Sequence, residues 1–295
     1  MKYSPLIILT LCVSALSANA QDSDVKTSNI KNDIHLLVSP QGGNVVVSTG
    51  EDGTFLIDDQ LTGRSEIIKV EAKKINDQNI KFILNTHYHF DHTGGNEYFG
   101  ENDAVIIAHD SVRKRLSTKQ FITHFGKEML PLSKDGLPKV TFSKDTTLHY
   151  NNEEIKIIHF PKAHTDGDVI AHFANSNVIV AGDLIFNGMY PFIDTEHGGS
   201  INGLLSAHEK LLSMSDDETI IIPGHGDPMT KNDLKSYYKN LKKITDSIKT
   251  AIAENRTLEQ TIAAKPTKEF DVTMGNGVVK PDAFTSILYN DLVAK

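Results

Sequence analysis

Thr86-His87-Tyr88-His89-Phe90-Asp91-His92-Thr93-Gly94-Gly95 places four metal-capable side chains within six residues, directly after the apolar run Ile80-Lys81-Phe82-Ile83-Leu84. The run predicts a strand that ends at the motif, so that its last side chains and the following turn enter one cavity. His87 and His89 are two apart and project to the same side of an extended backbone. Asp91 and His92 fall on the turn, which can carry them to a second point about one metal–metal distance away, roughly 3.5–4 Å. Imidazole nitrogen and carboxylate oxygen suit zinc, with iron or manganese as alternatives.

Upstream, Asp33 to Ser39, Asn44 to Thr49 and Thr54 to Ile57 read as strands after a polar lead-in, with a hairpin turn at Gly50-Glu51-Asp52-Gly53. Asp58-Asp59 ends the last of them, and Ile68, Ala72 and Ile75 repeat at helical spacing. Downstream, Ala104 to Ala108 is a short strand, and His109-Asp110-Ser111 opens a polar helix. His109 either lines the site or caps that helix. Residues 119–139 show little periodicity and read as an excursion, a lid over a pocket or a plain surface loop.

Strands follow at Ile155 to Phe160, Val169 to Phe173, Val178 to Ala181 and Thr219 to Ile222. His159 and His172 lie on strands among apolar neighbours, and His208 lies on the packed face of a helix that begins at Ile201; all three read as structural histidines. Thr230 with Asp233 predicts a helix start, and Leu234, Tyr237, Leu241, Ile244 and Ile248 give a long amphipathic helix. From Arg256 the tail reads as two further helical pieces, one of them Phe284 to Leu292.

Three distant residues share the setting of the first motif, each after an apolar strand and in a turn marked by Gly or Pro: His164, Asp183 and His225. The core strands thus end at one rim, where the ligand-binding loops of α/β sheets gather. Together with His87, His89, Asp91 and His92 they make seven donors, enough for two metals and a bridging carboxylate.

The first 20 residues read as a cleavable leader, with Lys2 before the apolar run Leu6 to Leu16 and a small-x-small site at Ala18-Asn19-Ala20. The expected product is a domain over 21–295, periplasmic or secreted. Cys12, inside the leader, is the only cysteine, so the mature chain offers neither disulfide nor thiolate. The net charge of −8 becomes one unit more negative when Lys2 is removed, and no basic run interleaves with aromatics. Such a surface does not attract nucleic-acid phosphate. A small-molecule substrate is expected, without nucleic acid and without stable membrane association once the leader is gone. Nothing in the sequence specifies an oligomeric state.

On this ligand pattern the chain resembles the metallo-β-lactamase superfamily of hydrolases. The resemblance implies an αββα four-layer sandwich of the α/β class, two mixed sheets with helices outside. It implies one metal on His87, His89 and His164, a second on Asp91, His92 and His225, Asp183 bridging both, and a water between them as nucleophile. Asp91 can orient that water as well as bind metal. Asp183 stands where the best-known broad-activity β-lactamases carry cysteine, and the oxygen bridge resembles glyoxalase II, the lactonases and the phosphodiesterase-like members. The lactonases that cleave acyl-homoserine lactones carry a tyrosine three residues after that Asp; here Phe186 stands there, with Tyr190 as a stand-in. The segment from Gly182 to Gly188 and the turn Gly198-Gly199-Ser200 resemble a bacterial exported branch of the superfamily.

The expected function is cleavage of a carbonyl ester, thioester, lactone or β-lactam bond by a dinuclear zinc hydrolase. A mononuclear-iron persulfide dioxygenase, sharing His87, His89, His164 and Asp183, and a non-catalytic metal-binding relic are the competing readings.

Overall fold

The computed structural model describes residues 24–294. The expected leader, residues 1–20, lies outside them. Six strands come first: β1 (Lys26–Lys31), β2 (Ile34–Val38), β3 (Val45–Ser48), β4 (Thr54–Ile57), β5 (Ile80–Leu84) and β6 (Val105–His109). A small hairpin, β7 (Gln120–Ile122) with β8 (Lys127–Met129), precedes β9 (Val140–Phe142). The first sheet runs β1-β2-β3-β4-β5-β6-β9, antiparallel as far as β4 and parallel from β4 to β9. The second sheet comprises β10 (Thr146–Tyr150), β11 (Glu153–Phe160), β12 (Asp168–Phe173), β13 (Val178–Phe186) and β14 (Ile220–His225), in that order, with only β13 and β14 parallel.

Burial shows why the two sheets stack. Leu36, Val46, Phe55 and Leu84 of the first sheet pack with Ile155, Ala171, Phe173 and Val180 of the second in one apolar cluster. The helices α1 (Ser65–Ile75), α2 (Phe90–Thr93), α3 (Asn96–Glu101) and α4 (Asp110–Leu116) follow strands of the first sheet. Ile68 and Ala72 of α1 cover its outer face through Leu56, Ile83 and Ile106. The second sheet is covered by α5 (Ile201–Met214), α6 (Lys231–Ala253) and α9 (Pro281–Val293), which meet Ile170, Ile179 and Ile221 in another cluster; α7 (Leu258–Ala263) and α8 (Asp271–Met274) connect them. The layering is αββα. Because β3 and β4 are buried throughout, they read as continuous apolar runs and not as alternating ones. Thr230 and Asp233 close a reciprocal capping box at the start of α6, as their spacing predicts.

Several local expectations change. The polar lead-in contains β1, which gains its order from antiparallel pairing with β2 and not from burial. The excursion at 119–139 carries the β7–β8 hairpin. Asp91 and His92 occupy the short helix α2, not an open turn. The strand from Val178 continues through Asp183 to Phe186. The tail beyond Arg256 forms three helical pieces rather than two. Among the described residues no helix is long and apolar enough to cross a membrane.

Candidate metal centre

All seven donors meet at one end of the sandwich. His87 and His89 leave the end of β5, Asp91 and His92 follow in α2, and His164 lies between β11 and β12. His225 is the last residue of β14. Asp183 lies inside β13, where the ladder to β14 is irregular and Gly182 takes a φ of +52°. That kink turns the carboxylate out of the regular pleat, and a glycine tolerates it without a Cβ clash.

Donor atoms of His87, His89, His164 and Asp183 all lie within 4.8 Å of one another, as do those of Asp91, His92 and His225. Asp183 stands between the two groups. Its Oδ2 is 3.6 Å from His87 Nε2 and 3.5 Å from His164 Nε2, while its Oδ1 is 3.1 Å from His92 Nε2 and 3.4 Å from His225 Nε2. Asp91 Oδ2 lies 3.3 Å from His225 Nε2. Glycine makes room on both sides. A Cβ on Gly224 would stand 1.9 Å from Asp183 Oδ1, and one on Gly43 would stand 2.2 Å from His92 Cε1.

The outward nitrogens of four imidazoles are already committed. His92 Nδ1 donates to Asp58 Oδ2 at 2.7 Å and His89 Nε2 donates to Asp194 Oδ2 at 2.9 Å. His164 Nδ1 donates to the Phe192 carbonyl at 2.8 Å. His87 Nδ1 donates to Thr86 Oγ1 at 3.0 Å, whose own hydroxyl donates to Asp58. Each neutral ring carries one donor and one acceptor, so the inward nitrogens of His87, His89 and His164 are lone pairs. His87 Nε2 and His164 Nε2 lie 3.1 Å and 2.9 Å from His89 Nδ1. Three buried lone pairs at that separation repel one another unless a cation lies among them. The donor set fits a divalent metal of the zinc type.

Electrostatics divides the two groups. Burial holds His87 well below the ordinary imidazole value and brings His164 down to about 4. Burial also pulls on His92 and His225, but the Asp183 and Asp91 carboxylates outweigh it, raising His92 well above its ordinary value and His225 to about 9. Asp91 comes down to about 2, because His92 and His225 outweigh its own burial.

A family model for the metallo-beta-lactamase superfamily matches residues 38–225, well over half of the chain. The chain belongs to the metallo-beta-lactamase superfamily. Among its relatives are hydroxyacylglutathione hydrolases of Pelagibacter ubique, 30% identical over 40% of this chain and 43% of that enzyme, and of Nitrosococcus oceani, 27% identical over 62% and 61%. The chain therefore matches less than two thirds of the length of either enzyme. The solved metallo-beta-lactamase from Pontibacter korlensis superposes with a TM-score of 0.63 at 16% identity, covering 74% of this chain and 99% of that one, a likeness of fold.

Within this superfamily framework, several residues not singled out in the sequence prove central. Asp58 holds His92 and also accepts from the Thr86 backbone N–H at 2.7 Å. Asp194 accepts from Tyr88 Oη at 2.5 Å and from His197 Nδ1 at 2.7 Å besides holding His89. Asp168 accepts from the backbone N–H groups of His164 and Thr165, both at 2.8 Å, fixing the loop that presents His164. Only Asp58, at the end of an apolar strand facing the motif, carried a local signal.

Other expectations resolve as follows. Tyr190 is no stand-in at the site: it is fully buried, donates to Asp271 Oδ1 at 2.9 Å and stacks on Phe284. Phe186 does face the centre, its ring parallel to His225 at 5.0 Å. His109 caps α4 by accepting from the Ser111 N–H, and its ring stacks on His159 at 3.7 Å. His208 is fully buried and donates to the Leu184 carbonyl at 2.6 Å, a structural histidine as read. His159 and His172 are half-buried rather than core residues, His159 bonding the Asp166 carbonyl at 3.0 Å.

The centre opens into a cavity of about 580 Å³, walled by Phe90, Phe125, Phe186, Met189 and Phe192, with His89, Asp91, Asp183 and His225 at its floor. Phe125 reaches the cavity from the turn between β7 and β8, so the 119–139 excursion covers part of a pocket.

Proposed function

We propose that the protein is an exported hydrolase that holds two zinc ions and uses the water between them to cleave a carbonyl ester, thioester, lactone or β-lactam bond. The observation that carries this reading is Asp183, whose two oxygens face the two donor groups separately. His87, His89 and His164 would hold one ion, Asp91, His92 and His225 the other, and Asp183 would join them. When bound, such a pair lowers the pKa of a shared water toward neutrality and polarises the scissile carbonyl oxygen.

The chain's own residues supply the rest. Asp91, ionised throughout the neutral range, can accept a hydrogen bond from the attacking water and so aim it. Asp58, Asp194 and the Phe192 carbonyl fix three imidazoles before substrate arrives, so no reorganisation is needed as charge develops. The aromatic walls make the surroundings of the floor less polar than water, which strengthens the electrostatic contacts there.

Metal analysis of purified protein, followed by rates on an ester, a lactone, a glutathione thioester and a β-lactam, tests the reading. Close to two zinc per chain with hydrolysis is the expected result. One iron per chain with oxygen uptake on a persulfide would replace it by the dioxygenase chemistry. Export is tested by mass spectrometry of the periplasmic or secreted fraction, where the chain should begin at Gln21.

A further inference from the structure

The cavity beside the metal centre has a wall chemistry that the proposed reaction does not itself demand. Its sides are Phe90, Phe125, Phe186, Met189, Phe192 and Val278, and among the described residues no lysine or arginine lines it. Asn44, one of the neutral polar residues at its edge, spends its amide on the Pro223 and Gly226 carbonyls, both at 2.9 Å. Two cations lie nearby without lining the cavity. Lys127 Nζ lies over the Phe90 ring, 5.2 Å from its centre, and Arg64 is ion-paired to Asp24 while donating to Ser39 Oγ. Phe125 and Val278 are 40% and 65% exposed at the mouth, apolar surface that an apolar occupant would take out of water.

We propose that this cavity selects an uncharged ester or lactone carrying an apolar acyl group of several carbons. The inference rests on the hydrolase reading for the bond that is cut, and on the cavity alone for what is bound. The aromatic rings give an alkyl chain a dry wall: Phe125 lies 5.0 Å from Phe192 at 61°, and the Phe186 ring lies flat against His225. A second carboxylate lodged among the rings, away from the floor, would lose its water with no lysine or arginine of the lining to receive it. The chain's own net charge of −8 works in the same direction.

The experiment uses the full mature chain, zinc-loaded, with p-nitrophenyl acetate, butyrate and octanoate, and with p-nitrophenyl hemisuccinate and S-lactoylglutathione as charged counterparts. kcat/KM should rise about threefold for each added methylene, and hemisuccinate should fall roughly tenfold or more below butyrate. A binding readout needs no turnover. The chain has no tryptophan, so Phe125→Trp places a single reporter at the mouth. Octanamide, which should bind without being cleaved, should shift its emission, while the succinate half-amide should not. Phe125→Lys and Val278→Lys, both at exposed positions, should lower the octanoate-to-hemisuccinate ratio by introducing the missing cation.

A flat chain-length series, a preference for hemisuccinate or lactoylglutathione, or a Phe125→Trp reporter blind to octanamide would each overturn the proposal. Octanamide binding with no ester cleaved would support it and remove the hydrolase reading instead. Ester cleavage without chain-length dependence would leave the hydrolase reading and remove this one.

Discussion

Asp194 reaches His89 Nε2 at 2.9 Å across 105 positions of sequence, and this bond decides which nitrogen His89 turns inward. With Nε2 committed as donor, His89 offers Nδ1, whereas His87, His92 and His164 offer Nε2. The same carboxylate gathers Tyr88 and His197, and these partners keep it ionised well below the usual carboxylate range despite its burial.

Asp194→Ala should therefore weaken zinc binding at the His87, His89 and His164 group by about 10- to 100-fold. It should also cost about 1–3 kcal/mol of stability, because the buried Tyr88 hydroxyl loses its acceptor. Titration against a chromogenic chelator separates the two effects from a denaturation curve. Unchanged zinc affinity in a destabilised protein would show that Asp194 is structural only.

Asp183→Asn keeps the shape and removes the charge between the two donor groups. The variant should retain no more than one zinc, and its kcat should fall by at least about 10²–10³, the scale of losing one well-placed electrostatic partner. His208→Ala serves as the control: it should lower stability by roughly 2–4 kcal/mol through lost packing and an unpaired Leu184 carbonyl, with metal content near that of the parent. Two zinc ions and near-parental rates in Asp183→Asn would refute the bridge.

The two donor groups should respond differently to pH. His87 and His164 stay neutral at pH 7 because burial depresses them, so the first cation has no proton to displace from either. His92, held well above its ordinary value, and His225, raised to about 9, are protonated in the metal-free protein at that pH. A cation there must expel those protons, so its affinity should rise with pH up to about 9 and fall on acidification. Calorimetry in buffers of different ionisation enthalpy should count more protons released with the second cation, from His92 and His225, than with the first. Equal release at both steps would contradict the division.

Gly224→Ala tests the close approach of β14 to β13. Its methyl would stand 1.9 Å from Asp183 Oδ1 and 2.7 Å from the Gly182 carbonyl carbon, backbone that cannot step aside. The strand should shift, with a stability cost of about 1–3 kcal/mol and loss of the second zinc, read by thermal melting and metal analysis. A fully loaded variant would show that the strands separate more easily than their packing implies.

What the sequence made legible follows from locality. The strand Ile80–Leu84 and the donors behind it are contiguous, so pattern alone locates them. His164, Asp183 and His225 each follow an apolar run and sit beside Gly or Pro, a signal that survives distance because it is repeated. Of the partners that aim the imidazoles only Asp58 carries part of that mark, the end of an apolar strand, and 34 positions separate it from His92. Asp194 carries none, lying on a loop whose proximity to Tyr88 arises only when the two sheets stack. Tyr190 misled for the reverse reason: nearness in sequence to Asp183 does not fix direction, and its ring turns toward α9. The strand β1 stayed hidden because its side chains are polar and its order comes from backbone pairing.

The donors are divided between the halves of the sandwich: His87, His89, Asp91 and His92 follow β5 of the first sheet, while His164, Asp183 and His225 belong to the second. A cation in either group thus rivets one sheet to the other. The factor by which it tightens their union must equal the factor by which that union tightens its own binding. A chelator would then act on this chain as a denaturant of the seam, loosening the rim between the sheets while each sheet keeps its outer helices.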